Sequence, residues 1–102
     1  LRANFTYVAE SDGQIVGFSE LERSGRIGTL YVHHRYQAQG IASRLLSEME
    51  TRARAFGAKR LTTESSLTAY GFFQRRGFKL VRAQEVDRNG VSLRNFIMER
   101  VL

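Results

Sequence analysis

The stretch of chain over residues 31–43 could bind an anion. It joins a β-like run, residues 27–32, to a helix-like run that begins at Ile41, through a polar loop that holds Gly40 just before the helix. Free backbone N–H groups and the positive end of a helix dipole meet at such a turn, and both favour phosphate. Glycine also lets a ligand approach the backbone closely. We therefore predict a phosphate site here; an ordinary strand-to-helix turn is the alternative.

Other residue types that carry chemistry are scarce beside this turn. His33 and His34 follow the strand directly, where a histidine is more often a polar loop residue than a catalyst. The chain has no cysteine, which excludes disulfides and thiolate metal sites. No cluster of His, Asp and Glu has metal-ligand spacing, so no metal is predicted.

Length and charge limit what the chain can be. With 102 residues and a hydrophobic fraction of 42%, residues 1–102 are predicted to form a single domain with its own core. No run is long enough to span a membrane and the start has no signal-peptide pattern, so the expected location is the cytosol. The net charge of +6 comes almost entirely from arginine, whose planar fork suits phosphate. A solvated basic surface, a phosphate-rich cofactor and nucleic acid all fit that charge.

The strands around the turn are predicted from alternation and from turn residues. Asp12-Gly13 and Asn89-Gly90 are strong hairpin signals, and a further turn is predicted at residues 23–25. The predicted strands are residues 6–10, 15–21, 27–32, 61–64, 78–86 and 91–100. In the last of these the apolar residues change phase halfway, which predicts a bulge near Arg94-Asn95.

Two helices complete the predicted architecture. Apolar residues recur at helical spacing from residue 41 onward, and Gly57 fits a C-terminal stop. A second helix is predicted over residues 67–75, capped by Ser65 or Ser66 and ended by Gly77. The first helix acts as a crossover, so the strands on either side of it are expected to be parallel. The fold class is α/β (α+β): a mixed, largely antiparallel sheet of about six strands with two helices, in the order β-β-β-α-β-α-β-β.

Three motifs in this order resemble those of the GNAT superfamily of N-acetyltransferases. They are Leu30-Tyr31-Val32, Gln37-x-x-Gly40-x-Ala42 and Ala69-x-x-Phe72-Phe73-x-x-x-Gly77-Phe78. The hexapeptide alone is a weak signal, and it becomes strong because a strand precedes it, a helix follows it and the third motif closes the next helix. The resemblance covers nearly the whole chain. The Phe72-Phe73 pair and the ending Gly90-Val91-x-Leu93-x-Asn95-Phe96-x-Met98 are most similar to a YafP-like bacterial branch.

The resemblance implies transfer of an acetyl group from acetyl-CoA to a primary amine of a small molecule or protein. In that family the pyrophosphate lies on backbone amides of the loop, and the thioester lies where the third strand diverges from the next. A backbone N–H near Val32 would then polarise the acetyl carbonyl. The cofactor-binding residues implied are Leu30, Tyr31, Val32, Ala38, Gln39, Gly40, Ile41, Ala42, Ser43, Ser66 and Phe73.

The chain departs from the family at the residue that usually protonates the leaving thiolate. Phe73 stands where many members have tyrosine, and Ser66 stands where the pattern usually has asparagine. Tyr70, one helical turn earlier, is a candidate substitute acid; its alternative role is packing. Glu64, at the end of a strand, is the candidate general base, and its alternative role is a solvated carboxylate.

The beginning of the chain also differs from the family pattern. The family normally opens with a strand and one or two helices, whereas this sequence begins at the family's second strand. An exposed sheet edge and apolar surface would follow, so a homo-oligomer is expected. A catalytically weak or inactive GNAT-like module that binds acetyl-CoA or a partner is the alternative function. A nucleic-acid-binding module is disfavoured, because the arginines are scattered and the aromatic residues fall mostly at core phases.

Overall fold

The computed structural model describes residues 4–102; the predicted domain begins in residues 1–3, which lie outside the described part. Its elements follow the predicted order, with one addition, a single 3-10 turn at His34–Tyr36 in the loop before the first helix. The strands and helices are β1 (Asn4–Ser11), β2 (Gln14–Glu22), β3 (Arg26–Val32), α1 (Ile41–Ala55), β4 (Arg60–Ser66), α2 (Leu67–Arg75), β5 (Lys79–Arg88) and β6 (Val91–Val101).

The six strands form one mixed sheet in the order β1-β2-β3-β4-β6-β5. β3 and β4 are parallel, and the other neighbouring pairs are antiparallel. The parallel pair is the one joined through α1, since a right-handed crossover returns the chain in the same direction. The predicted fold class is confirmed.

Both helices pack on the same face of the sheet. α1 contributes Leu46 and Met49 to the core, and α2 contributes Phe73. Alternate residues of β4 face the helices, so Leu61 is fully buried whereas Glu64 is exposed on the opposite face. The remaining members of the buried cluster are Leu21, Ile27, Ala53, Phe78 and Met98.

The predicted bulge in the last strand is wrong. β6 pairs regularly through Arg94 and Asn95, and the register shift lies on its partner β5, between Leu80 and Arg82. The apparent change of phase has another cause: Val91 and Leu93 lie near the tip of the hairpin, where they are 56% and 51% exposed and do not face the core. A bulge within β6 is therefore not needed.

The helices of the described residues are not candidates for crossing a membrane, because none is both long and apolar enough.

Candidate active site

A gap opens in the middle of the sheet where β3 and β4 separate. They pair through Arg26 with Thr62 and Ile27 with Thr63, while β4 continues to pair with β6 as far as Ser66. On its other side β3 stays paired to β2 as far as Val32. The two parallel strands therefore diverge towards their C-terminal ends.

The backbone of β3 turns polar groups into this gap. The N–H of His33 donates to the carbonyl of Val16 at 2.7 Å, on the β2 side. Residues along an antiparallel ladder point their N–H groups alternately towards and away from the partner strand. The N–H groups of Leu30 and Val32 are consequently directed away from β2 and into the gap.

The loop after β3 is held to the strand by its own side chains. The Gln37 amide donates to the carbonyl oxygen of Val32 at 3.3 Å. The His33 ring accepts a hydrogen bond from the N–H of Arg35 at 3.2 Å, which stabilises the 3-10 turn. These contacts fix where α1 begins relative to the gap.

The first turn of α1 has no side-chain cap. Gly40 is the residue before the helix, with a φ of +79°, and no side chain accepts from the first N–H groups of the helix. A Cβ built on Gly40 would meet nothing within 4 Å, so the space beside this residue is open. The start of α2 differs, because the Ser66 hydroxyl accepts from the N–H of Ala69 at 3.2 Å. Open N–H donors at a helix start are suited to an anion.

The gap, the loop and both helices enclose a cavity of about 540 Å³. Its inner part is apolar, and the first turn of α1 lies at its edge together with two arginines from the end of α2. The residues that line it are Leu30, Val32, Tyr36, Gln37, Ala38, Gly40, Ile41, Ala42, Ser43, Thr68, Ala69, Phe72, Phe73, Arg75 and Arg76. The cavity can take an elongated ligand with an anionic end at the helix and an apolar end towards β3.

A second group of charged residues lies on the opposite, helix-free face of the sheet. Arg26 Nη1 lies 2.8 Å from a Glu22 carboxylate oxygen, and its Nη2 lies 3.9 Å from Glu64. The hydrogen bond with Glu22, together with the negative charge of Glu64, raises the pKa of the Arg26 guanidinium. Glu64 follows Thr63 directly, so its carboxylate lies where the two strands begin to separate.

These features belong together in one family. A family model described as "Acetyltransferase (GNAT) domain" matches residues 2–100. The chain belongs to the GNAT family. The short hexapeptide motif, the diverging parallel strands and the cavity beside α1 are thus parts of a GNAT domain.

This GNAT domain is similar to proteins from bacteria. It is 37% identical over 93 residues to the "Uncharacterized N-acetyltransferase YafP" of Escherichia coli, covering 90% of this chain and 57% of YafP. A crystal structure of a GCN5-related N-acetyltransferase from Rhodopseudomonas palustris superposes with a TM-score of 0.92 at 34% identity, covering 97% of this chain and 62% of that one. The chain thus spans somewhat more than half the length of each.

A more distant GNAT structure holds the cosubstrate. The acetyltransferase from Elizabethkingia anophelis, solved with acetyl-CoA bound, has a TM-score of 0.77 at 19% identity, covering 97% of this chain and 76% of that one. At this identity the likeness shows the shared fold.

Most of the residues predicted for the cofactor lie around the cavity beside α1. These are Leu30, Val32, Ala38, Gly40, Ile41, Ala42, Ser43 and Phe73. Gln39 instead lines a separate cavity of about 430 Å³ between β1 and α1, and Ser66 is occupied as the cap of α2. Tyr31 lies on the helix-free face, 46% exposed, with its ring 5.5 Å from that of Phe18.

The two candidate catalytic residues lie outside the lining of this cavity. Glu64 is on the opposite face of the sheet, with 45% of its side chain exposed. The Tyr70 ring packs edge-on against Phe96, with centroids 5.1 Å apart. Phe73 itself is 4% exposed and packs between Phe72 and Phe78, so the family's usual hydroxyl position is apolar here.

Sequence reasoning missed the face that α2 turns to the cavity. Thr68, Phe72 and Arg76 are spaced four residues apart, which puts them on one side of a helix. That spacing was available from the sequence, but only the packing of α2 shows which side faces the cavity. The other lining residues that were missed are Tyr36, Gln37, Ala69 and Arg75. Within residues 4–102, no group of His, Asp and Glu could hold a metal ion.

Proposed function

We propose that this GNAT domain transfers an acetyl group from acetyl-CoA to a primary amine. The observation that carries the proposal is the uncapped start of α1, which opens onto a cavity beside the diverging strands. Family membership supports it, as do relatives named N-acetyltransferase and a GNAT structure that contains acetyl-CoA.

In this proposal the diphosphate of acetyl-CoA lies against the loop amides of residues 38–43. Several N–H donors and the positive end of the helix dipole would stabilise its negative charge. The first turn of α1 carries no acidic residue that would repel it. The pantetheine arm of acetyl-CoA would run along the apolar wall formed by Leu30 and Phe73. The acetyl carbonyl would then meet the N–H of Val32, which would stabilise the oxyanion of the tetrahedral intermediate.

The acceptor amine would approach through the gap from the helix-free face. Glu64 lies at the opening of that gap, and we assign it the role of base that removes a proton from the incoming ammonium. The free amine would attack the carbonyl carbon, the C–S bond would break with its electron pair leaving on sulfur, and the second proton lost from the attacking nitrogen would end on the departing thiolate, giving the amide and the free thiol. Arg26 lies 3.9 Å from Glu64, on the same face of the sheet.

The leaving group needs no side-chain acid in this scheme. A thiol has an ordinary pKa of roughly 8.5, so a thiolate is a tolerable leaving group near neutral pH. This is consistent with Phe73, which has no proton to give. Tyr70 is the remaining candidate acid, although its ring is engaged with Phe96.

A GNAT-like module without significant catalysis is the second candidate function. Burial of Phe73 at the usual hydroxyl position favours it, because the chain has lost a group that many members use. Such a module would bind acetyl-CoA or a protein partner through the same cavity.

We further propose that residues 1–102 act as one domain in the bacterial cytosol and self-associate. The helix-free face supports self-association, because it carries the exposed Tyr31 ring packed against the half-buried Phe18 ring. Light scattering over a range of concentrations tests this. A Phe18→Lys substitution should reduce association, whereas Leu67→Lys, at an exposed apolar site on α2, should not.

Two measurements test the function. Calorimetric titration with acetyl-CoA asks whether the cosubstrate binds, and free-thiol release over a panel of amines asks whether acetyl groups are transferred. Binding with amine-dependent thiol release supports the acetyltransferase. Binding without release for any amine supports the inactive module, and no binding contradicts both forms of the proposal.

A further inference from the structure

Arg76 reaches from the end of α2 to the start of α1 across the mouth of the cavity. Its Nη2 donates a hydrogen bond to the hydroxyl of Ser43, which belongs to the uncapped first turn of α1. Its Cζ lies 5.2 Å from the centroid of the Phe72 ring, so the guanidinium is also supported from its own helix. These contacts hold a cation directly beside open N–H donors.

The charge around Arg76 is positive and lacks a local counterion. Arg75 lines the same cavity, and none of the described residues around it is acidic. The only side-chain acceptor given to Arg76 in the described structure is the neutral Ser43 hydroxyl. Charge-assisted hydrogen bonds are roughly twice as strong as neutral ones, so an anionic oxygen at this place would be the better partner.

We propose that Arg76 is a phosphate clamp. When acetyl-CoA binds, the guanidinium exchanges the Ser43 hydroxyl for oxygens of the diphosphate and holds the cosubstrate between the two helix ends. We assign the diphosphate, and not the 3′-phosphate, as the group that Arg76 binds. The reason is that Arg76 already contacts the turn whose amides would receive the diphosphate. This inference depends on the proposed function, and it adds a residue from α2 to the recognition of the nucleotide.

The clamp also explains how the site can select a nucleotide carrier. The loop amides would bind an anion through the backbone of α1, whereas Arg76 would add a charged side chain from the end of α2. A planar fork can form two parallel bonds to one phosphate, which a lysine cannot. Acetyl-pantetheine, which carries no diphosphate, should gain nothing from Arg76.

The test compares three probes: acetyl-CoA, 3′-dephospho-acetyl-CoA and S-acetylpantetheine. Each probe is titrated into the parent chain, Arg76→Gln and Arg76→Lys. Calorimetry measures the affinities of the first two probes, and NMR chemical-shift changes measure the affinity of the third. Arg88→Gln is the matched control, because it removes the same charge at the exposed end of β5, outside the residues that line the cavity. We expect Arg76→Gln to weaken both nucleotides equally, by about tenfold or more, with S-acetylpantetheine unchanged. Arg76→Lys should fall between parent and Gln, and Arg88→Gln should match the parent.

Other outcomes overturn the clamp. If Arg76→Gln lost affinity for acetyl-CoA but not for 3′-dephospho-acetyl-CoA, Arg76 would bind the 3′-phosphate and not the diphosphate. If Arg76→Gln lost affinity equally for all three probes, the contact with Ser43 would have only a structural role. The same conclusion would follow if a lowered Tm of the variant accounted for the lost affinity. Unchanged affinity in Arg76→Gln would remove Arg76 from binding while leaving the proposed function standing. Failure of the parent chain to bind acetyl-CoA would contradict the proposed function and the clamp together, whereas the outcomes above concern Arg76 alone.

Discussion

Ile27 pairs with Thr63 at the last rung of the parallel ladder between β3 and β4. Beyond this pair β3 stays hydrogen-bonded to β2, and β4 stays hydrogen-bonded to β6. The sheet is therefore continuous at the N-terminal ends of β3 and β4 and open between their C-terminal ends. The cavity beside α1 includes Leu30 and Val32 of β3 in its lining, and Glu64 lies on the helix-free face where the two strands begin to separate. A cosubstrate on one face and an acceptor on the other would meet at this point.

Substitution of Gly40 tests the anion site. Gly40→Asp places a carboxylate in the open space before the first N–H groups of α1, and we expect acetyl-CoA affinity to fall at least about a hundredfold. Gly13→Asp is the matched control, because Gly13 has the same φ of +79° and the same open surroundings but lies in the β1–β2 turn. Calorimetry gives the affinities and thermal unfolding gives the stabilities. Equal affinity in a folded Gly40→Asp variant would contradict the site.

Glu64→Gln tests the base. The variant keeps the shape of the side chain but cannot take a proton, so we expect the plateau of the acetyl-transfer rate at high pH to fall about a hundredfold. Glu99→Gln is the control, because it also breaks a carboxylate–arginine pair, 3.1 Å from Arg60. The rate is measured with the best amine of the panel. An unaltered plateau in Glu64→Gln would leave water or the amine's own neutral fraction as the route for the proton.

The pH profile and Phe73→Tyr test whether an acid is required. The parent rate should rise with pH as the base loses its proton and then level off, with no falling limb. Phe73→Tyr restores the family's hydroxyl at the cavity wall, and we expect less than about a tenfold gain, because the thiolate already leaves readily. A bell-shaped parent profile whose falling limb disappears in Tyr70→Phe would instead make Tyr70 the general acid.

Gly25→Ala tests the contact that fixes the base of the gap. A Cβ at Gly25 would lie 1.9 Å from the carbonyl oxygen of Arg60, at a φ of +93°, and the Gly25 carbonyl accepts from the N–H of Thr62 at 3.0 Å. The turn would have to move off β4, so we expect a loss of about 3 kcal/mol or more in unfolding free energy. Gly13→Ala, with nothing within 4 Å, should lose only about 1–2 kcal/mol. Denaturant titration measures both, and equal losses would contradict this role of Gly25.

Much of this GNAT fold could be predicted from the sequence because its signals are local. Asp12-Gly13 and Asn89-Gly90 form their turns from residues that tolerate positive φ, and Ser66 caps α2 through a bond to Ala69, three residues on. The helical period of α1 likewise gave its buried face. The hexapeptide with Gly40 located the start of α1, and the structure puts most of the predicted cofactor residues around one cavity.

Contacts between distant parts of the chain required the tertiary structure. The bulge lies in β5 rather than near Arg94, because register is decided by how two strands pack over the core and not by the phase of one strand. Arg76 meets Ser43 across 33 residues, which no local pattern predicts. The same is true of Arg26 and Glu64, which meet because β3 and β4 are neighbours in the sheet. The sequence by itself determined the elements and the position of the turn before α1; the tertiary structure decided which residues face that turn, because strand register and helix packing depend on the whole chain.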